Sequence, residues 1–311
     1  MNVLITSSSS KVLLVKSFME ATKKYNSLTF TADITNEIPT AFFSHKHFIL
    51  PKASDRNNFI SSLKNNCIEN DIKLIIPTRD GELEIMAEIK NDFTKNNITI
   101  LVPSEKTVEL CLNKKMFAEF LINEGYFPVP IIKDISLINP PYFIRPVYGA
   151  ASSGVKTTNS KDEVELFNNN DFLIHPFIDE DEYSIDLLMN LDGTKALQAV
   201  CRKRSYIVGG ESKISKVVDL PILEKTCMEI GEKLKLVGHN VLQAFYSDDR
   251  GIIMIEANAR FGGASNLSIV AGLNSPERIL KMLYDDNTAH ENQKIKFGLN
   301  MYRYSEDIVS V

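Results

Sequence analysis

Over the first hundred residues, short apolar runs at 3–6, 28–32, 47–50, 73–77 and 98–102 have the length and β-branched content of strands. Between some of them the apolar positions fall instead at helical spacing, as in Val12, Val15, Phe18 and Met19, or Phe59, Leu63 and Cys67. Strand and helix in alternation predict a parallel sheet covered on both faces. The turn after the first strand is Ser7-Ser8-Ser9-Ser10, without the Gly-x-Gly-x-x-Gly that lets a backbone approach a pyrophosphate, which argues against a nicotinamide dinucleotide site.

After residue 102 the alternation stops. Ser104 can cap a single helix over 105–124, Gly125 ends it, and Phe127-Pro128-Val129-Pro130 must be extended, so a boundary is expected here. Strands follow at 142–146, 172–177, 183–190 and 196–202, with a helix at 161–168; Asp192-Gly193 forms the turn between the last two strands. A helix over 220–236 leads into strands 240–246 and 252–258, joined by residues 247–251. With Asp249-Arg250 as the loop, this hairpin places Gln243 opposite Glu256, and Asn258 shares their face. Three oxygen donors then converge in the manner a hard dication such as Mg2+ requires. Taken alone, the pattern is equally that of a strand running out into solvent.

Composition narrows the chemistry. The 311 residues are 44% apolar and 24% charged, which describes a soluble globular protein of two or three domains. A net charge of −5 with no dense Lys/Arg tract gives no footprint for nucleic acid or an anionic membrane. With no signal-peptide pattern and no run of 18 apolar residues, a cytoplasmic protein acting on small molecules is expected. Cys67, Cys111, Cys201 and Cys227 are isolated and read as buried thiols; the five histidines show no metal-ligand spacing and read as structural.

Further clusters carry candidate chemistry. Arg145 precedes Gly149-Ala150-Ala151-Ser152-Ser153-Gly154, a loop of small residues whose backbone N–H groups could close over phosphate oxygens. Arg202-Lys203-Arg204 puts two guanidinium groups on one strand face, where they either receive an acidic substrate or sit at a solvated strand end. Arg79-Asp80-Gly81-Glu82 lies at the carboxyl edge of the first sheet; it either lines a pocket or, the preferred reading, starts a helix with Asp80 as cap. Residues 298–304 read as an exposed edge strand, with Arg303 near any substrate as the alternative.

These motifs resemble those of ATP-grasp proteins of the carbamoyl-phosphate-synthase-like group. Glu256-Ala257-Asn258-Ala259-Arg260 resembles the family's Glu-x-Asn-x-Arg signature, residues 143–155 its Arg-Pro strand and phosphate loop, and Asn113-Lys114 its Asp-Lys. Residues 174–183 resemble its adenine-binding hinge, although His175-Pro176 replaces the common Gln-Glu. The resemblance implies an α/β (α+β) ATP-grasp fold: a Rossmann-like pre-ATP-grasp parallel-sheet domain over 1–112, a small lid over 113–180 and an antiparallel-sheet catalytic subdomain over 181–311. It further implies ATP contacts from Lys114, Arg145, Gly149, Ser152, Ser153, Gly154, Phe177, Ile178 and Glu182, and metal ligation by Gln243, Glu256 and Asn258. Two Mg2+ ions are implied, with Mn2+ as a substitute, and Arg260 and Arg204 as catalytic residues. The implied activity is an ADP-forming ligase that couples a carboxylate to an amino-acid-like amine through an acyl phosphate. Alternatives are a carbamate or carboxyphosphate kinase and a non-catalytic ATP binder. The resemblance also admits a homodimer, since related proteins are often dimers, but no stretch of the sequence announces an interface.

Overall fold

The computed structural model describes residues 1–9, 11–149, 153–167 and 169–309. Its first sheet is five-stranded and fully parallel, in the order β3-β2-β1-β4-β5, with β1 Asn2–Thr6, β2 Thr29–Asp33, β3 Lys46–Ile49, β4 Ile72–Pro77 and β5 Thr99–Ile100. Helices α1 (Val12–Lys23), α2 (Arg56–Glu69) and α3 (Asp80–Thr94) supply the crossovers. The expected strand at 98–102 is reduced to two residues; Ile98, Leu101 and Val102 are buried without belonging to it.

The expected helix over 105–124 is two helices. Ser104 caps α4 (Glu105–Leu112) as predicted, its side chain accepting from Thr107 N, but Asn113 leaves helical geometry at φ −95°, ψ 101°. Its side-chain oxygen then accepts from the N–H groups of Lys115 and Met116, and α5 (Lys114–Asn123) starts afresh. A residue with a short side chain that competes for backbone donors restarts a helix more readily than it continues one. The chain leaves α5 through Gly125 at φ 81°, as expected for a left-handed terminator.

A small antiparallel sheet in the order β7-β6-β8 follows, from β6 (Tyr142–Pro146), β7 (Lys156–Thr158) and β8 (Phe172–Pro176), with the short helix α6 (Lys161–Glu165). The remaining strands form one antiparallel sheet in the order β13-β12-β9-β10-β11-β14: β9 Glu182–Met189, β10 Ala196–Val208, β11 Glu211–Val218, β12 His239–Ser247, β13 Gly251–Asn258 and β14 Asn300–Tyr302. Helices α7 (Pro221–Leu234), α8 (Ser265–Ser268) and α9 (Ser275–Leu283) complete the chain. Strand β10 runs six residues past the expected end, and β11 was not expected. The extension opens on polar residues, Lys203 to Ser205, which break the apolar run before Tyr206-Ile207-Val208, and the turn that pairs the two strands is Gly209-Gly210, both at positive φ, the geometry a two-residue hairpin demands.

Two hydrophobic cores join the parallel sheet to the six-stranded sheet. One holds Leu4, Ile75, Phe93, Phe117 and Leu121 together with Ile185, Leu187 and Ala257; the other holds Val3, Ile5 and Phe18 together with Leu188, Phe261 and Leu267. The three-stranded sheet has a separate core of Tyr142, Ile144, Val164 and Ile174. The two large sheets therefore form one body, and the small sheet stands beside it.

Candidate functional site

The site is built on the β12–β13 hairpin. At its tip the pairing is Ser247 with Gly251, one step out of phase with expectation, because the turn holds three residues, Asp248 to Arg250. A bulge between Gln243 and Ala244 then absorbs Ile255, and beyond it Gln243 faces Glu256 as predicted, followed by Leu242 with Ala257 and Val241 with Asn258. The bulge leaves the carbonyl of Ile255 free of the ladder, and Arg145 Nη1 donates to it at 3.3 Å. The same irregularity thus sets the register of the acidic residue and ties the small sheet to the hairpin.

Along β13, Asn258 donates its amide to Glu256 Oε1 at 3.0 Å and accepts from Arg260 Nη2 at 3.1 Å. Arg260 also holds Asp80 bidentately, Nε at 2.6 Å and Nη2 at 2.5 Å. Burial works against the Arg260 charge, but the Asp80 carboxylate more than offsets it and keeps the guanidinium above its ordinary range. Asp80 is therefore not a cap. It occupies the first turn of α3, while Glu82 reaches back to accept from the N–H groups of Thr78 and Arg79 at 2.9 and 3.3 Å. The pairing of Asp80 with Arg260 spans 180 residues, and no local pattern announces it.

Lys114 and Arg145 approach from the other side, both buried. Lys114 gains its place from the restarted helix: its Nζ donates to Gly149 O at 2.7 Å and its N–H to Val147 O at 3.1 Å. Arg145 Nε donates to His175 Nε2 at 2.9 Å, and His175 Nδ1 donates to Pro130 O at 2.7 Å. Burial and the Arg145 charge hold His175 down at about 3, so the ring stays neutral and buttresses the guanidinium. Burial lowers the pKa of both Lys114 and Arg145, and the Glu256 carboxylate pulls each back up.

A third group closes the site. Arg204 is paired with Glu182, and it also donates to Gln243 Oε1 at 3.0 Å, Gly210 O at 2.6 Å and Ser212 Oγ at 2.9 Å. Burial nevertheless raises the Glu182 pKa against the pull of Arg204. Phe177 is exposed; its N–H donates to Pro141 O at 3.2 Å, whereas the backbone of Ile178 makes no hydrogen bond among the described residues. Gly149 (φ 134°) and Gly154 (φ 74°) flank the small-residue loop and Ser153 is exposed; Ser152 lies outside the described residues.

Arg202 does not join Arg204. It is buried, with Nε 2.5 Å from Asp186 Oδ2, in a cluster that sequence reasoning missed. Asp186 also receives Ser265 Oγ and Ser268 Oγ, each at 2.5 Å, and His239 Nε2 at 3.0 Å; the His239 ring stacks on Phe261 at 4.1 Å. Burial disfavours the Asp186 charge, but Arg202 and His239 hold its pKa well below the usual carboxylate range. Ser265 Oγ accepts from Gly262 N, so this cluster fixes the segment that follows Arg260. An aspartate inside the otherwise apolar run Ile185 to Met189 was the available signal.

The donor chemistry fits a hard cation. Among the described residues no three His, Cys, Asp or Glu side chains gather to hold a metal, so an ion here draws on amide oxygens beside one carboxylate. Gln243 Oε1 and Asn258 Oδ1 each already accept from a guanidinium, and Glu256 stands between them. Oxygen donors arranged to meet positive charge are the ligands Mg2+ selects.

Comparison with known proteins adds the family. Residues 168–306 match a family model described as ATP-grasp in the biosynthetic pathway with Ter operon, and residues 3–101 match the PylC-like N-terminal domain. No curated protein matches the sequence. Rhizobium etli pyruvate carboxylase shares the fold at a TM-score of 0.73 and 14% identity over 96% of this chain, which spans only 30% of that one. The biotin carboxylase domain of Hydrogenobacter thermophilus 2-oxoglutarate carboxylase, solved with MgADP and bicarbonate, gives 0.72 and 13% over 96% of this chain and 73% of its own. An L-amino acid ligase from Bacillus licheniformis gives 0.67 and 17% over 94% and 77%. At such identities the structural likeness speaks for the fold. The two family models give an ATP-grasp region over residues 168–306 behind a PylC-like amino-terminal domain over residues 3–101, and the structural likeness agrees with that fold.

Proposed function

We propose that the chain is an ADP-forming ligase that activates a carboxylate as an acyl phosphate and joins it to an amino-acid-like amine. The observation that carries this reading is the Gln243–Glu256 register, with Asn258 and Arg260 on the same strand end and Lys114 and Arg145 facing them. In this assignment the three oxygen donors hold two Mg2+ ions, which neutralise phosphate charge when bound. Lys114, Arg145 and the loop containing Gly149, Ser152, Ser153 and Gly154 hold the phosphates; Ile178 offers its backbone to adenine beside Phe177, and Glu182 takes the ribose.

Phosphoryl transfer needs in-line placement and compensation of the charge on the phosphate oxygens more than covalent help from the protein. Arg260, held by Asp80, is fixed where that charge develops. Arg204 leaves Glu182 to the ribose and turns to the carboxylate or the acyl phosphate. The substrate carboxylate oxygen attacks the terminal phosphorus as the bond to ADP breaks; the amine nitrogen then attacks the acyl carbon, phosphate departs, and the amine gives up a proton. We assign the division of labour to residues 1–112, a lid over 113–180 and a catalytic part over 181–311. The separate core of the small sheet supports residues 142–176 moving together as the mobile part of that lid, whereas α5 packs Phe117 and Leu121 into the shared core.

ADP release in Mg2+ measured across paired amino acids tests the reading. Release stimulated by one pair, with the coupled product detected by mass spectrometry, is expected. Release stimulated by bicarbonate alone favours the carboxyphosphate activity instead, and nucleotide binding with no stimulated release under any condition overturns the enzymatic reading.

A further inference from the structure

Strand β13 stops pairing at Asn258, so the peptide groups that follow Arg260 need partners from outside the sheet. The peptide between Phe261 and Gly262 finds one at each end. Its N–H donates to Ser265 Oγ at 2.9 Å, and its carbonyl accepts from Arg260 Nη1 at 3.2 Å. A peptide unit is planar, so an acceptor that fixes the N–H also fixes the direction of the carbonyl. The guanidinium is thereby oriented from Ser265.

Arg260 has little other freedom. Of its five N–H groups two go to Asp80, one to Asn258 Oδ1 and one to Phe261 O, which leaves a single N–H, on Nη1, for a ligand. That last donor shares its nitrogen with the bond to Phe261 O, so its direction follows the carbonyl.

Ser265 is held in turn. Its Oγ donates to Asp186 Oδ1 at 2.5 Å, and His239 Nε2 lies 3.0 Å from both atoms. Arg202 Nε and Ser268 Oγ fill Oδ2, so each oxygen of this buried carboxylate already carries two donors and the group is saturated. The Phe261 ring lies flat against His239 and edge-on to Phe18 at 5.7 Å. A Cβ on Gly262 would stand 3.1 Å from Ser265 Oγ and 3.0 Å from Val241 Cγ2, so a glycine lets the peptide lie this close to its acceptor.

We infer that Ser265, backed by Asp186, is a positioning residue for Arg260: through the Phe261–Gly262 peptide it aims the one guanidinium N–H left for the transferring phosphate. The inference rests on the ligase reading for what that N–H meets, and adds the residue that aims it. Ser268 supplies the contrast. It lies in the same short helix, is equally buried, donates to the same carboxylate at 2.5 Å and sits 3.1 Å from Arg202 Nε, much as Ser265 sits beside His239. Its hydroxyl makes no hydrogen bond to residues 260–263 among the described residues.

The test compares Ser265→Ala with Ser268→Ala in the full chain carrying 13C,15N-arginine, the Arg260 signals being assigned from Arg260→Lys. Rotation about the Arg260 Nε–Cζ bond, read as exchange between its Nη1 and Nη2 signals, should quicken about tenfold in Ser265→Ala and less than about twofold in Ser268→Ala, although both lower the melting temperature alike. The kcat for stimulated ADP release should split in the same way, down about tenfold or more for Ser265→Ala and nearly unchanged for Ser268→Ala, with Mg-ADP affinity kept in both. Ser265→Cys, which keeps the bulk but accepts weakly through sulfur, should move both readouts in the direction of Ser265→Ala. Equal changes in the two alanine variants, or Arg260 rotation that Ser265→Ala and Ser265→Cys leave as it is, overturns the inference. A wild-type chain that releases no ADP with any substrate pair instead counts against the ligase reading, and the rotation measurement still decides whether Ser265 aims Arg260.

Discussion

The small three-stranded sheet and the large body meet at the same site but are held in opposite ways. Arg145 rises from a sheet whose core is four residues, Tyr142, Ile144, Val164 and Ile174, whereas Glu256, Asn258 and Arg260 project from a sheet whose cores run continuously into the parallel sheet. Among the described residues the small sheet and the loop after β6 are tied to the body by Arg145, which donates to the freed carbonyl of Ile255, and by the start of α5, where Asn113 donates to Tyr148 Oη at 2.8 Å and Lys114 to Val147 O and Gly149 O at 3.1 and 2.7 Å. A group on a small core opens at low free energy, and one mounted in a shared core does not. The comparison therefore separates residues that can close over a ligand from those that provide a fixed floor beneath it.

Removing the floor should have the largest effect. Glu256→Gln keeps the shape but loses the charge that, in the proposed assignment, meets the cation, so kcat for stimulated ADP release should fall about 10³-fold or more, with the melting temperature nearly unchanged. A fall of less than about tenfold would show that the carboxylate lies outside the reaction centre.

Packing probes sharpen the contrast. Leu187→Ala, in the shared core, should cost about 2–5 kcal/mol of global stability in urea unfolding. Ile144→Ala removes similar volume from the small core. It should show instead as faster hydrogen exchange confined to residues 142–176, with a smaller shift of the global transition. Equal global shifts for the two variants would mean that the small sheet is part of the body.

The floor also carries a titration. Burial pushes Glu82 up to about 7 despite its hydrogen bonds to Thr78, Arg79 and Ser7. Between its ordinary range near 4.5 and 7 the folded protein holds a proton there that the unfolded chain has lost. This contribution is complete below pH 4.5 and is lost as the pH rises through 7, amounting to about 3 kcal/mol in all. Glu82→Gln lacks that titration, so its stability relative to wild type should improve by about that amount from pH 4.5 to pH 8, as read by urea unfolding at several pH values. The smallest effect is expected at the exposed Lys24–Glu277 pair, where Lys24→Ala should cost less than about 1 kcal/mol.

What could be read from the sequence was whatever local periodicity encodes. The alternation of the parallel sheet, the Ser104 cap, the Gly125 terminator and the Gln243–Glu256 pairing all follow from neighbours in sequence. That last pairing was reached through a turn that is one residue too short, and the Ile255 bulge restores the phase. Where the pattern misled, a polar side chain was doing something local spacing does not show. Asn113 splits a helix by claiming two backbone donors, Asp80 serves Arg260 and not its own helix, and Arg202 neutralises a buried aspartate. Strand β11 stayed hidden because lysines and serines interrupt its apolar alternation.

The most direct test is a crystal structure of the full chain with Mg2+ and a non-hydrolysable ATP analogue. An ion about 2.0–2.2 Å from a Glu256 oxygen, shared with the Asn258 or Gln243 side chain and with the terminal phosphates, is the predicted result. A triphosphate bound elsewhere, or Glu256 turned away from every ion, would contradict it.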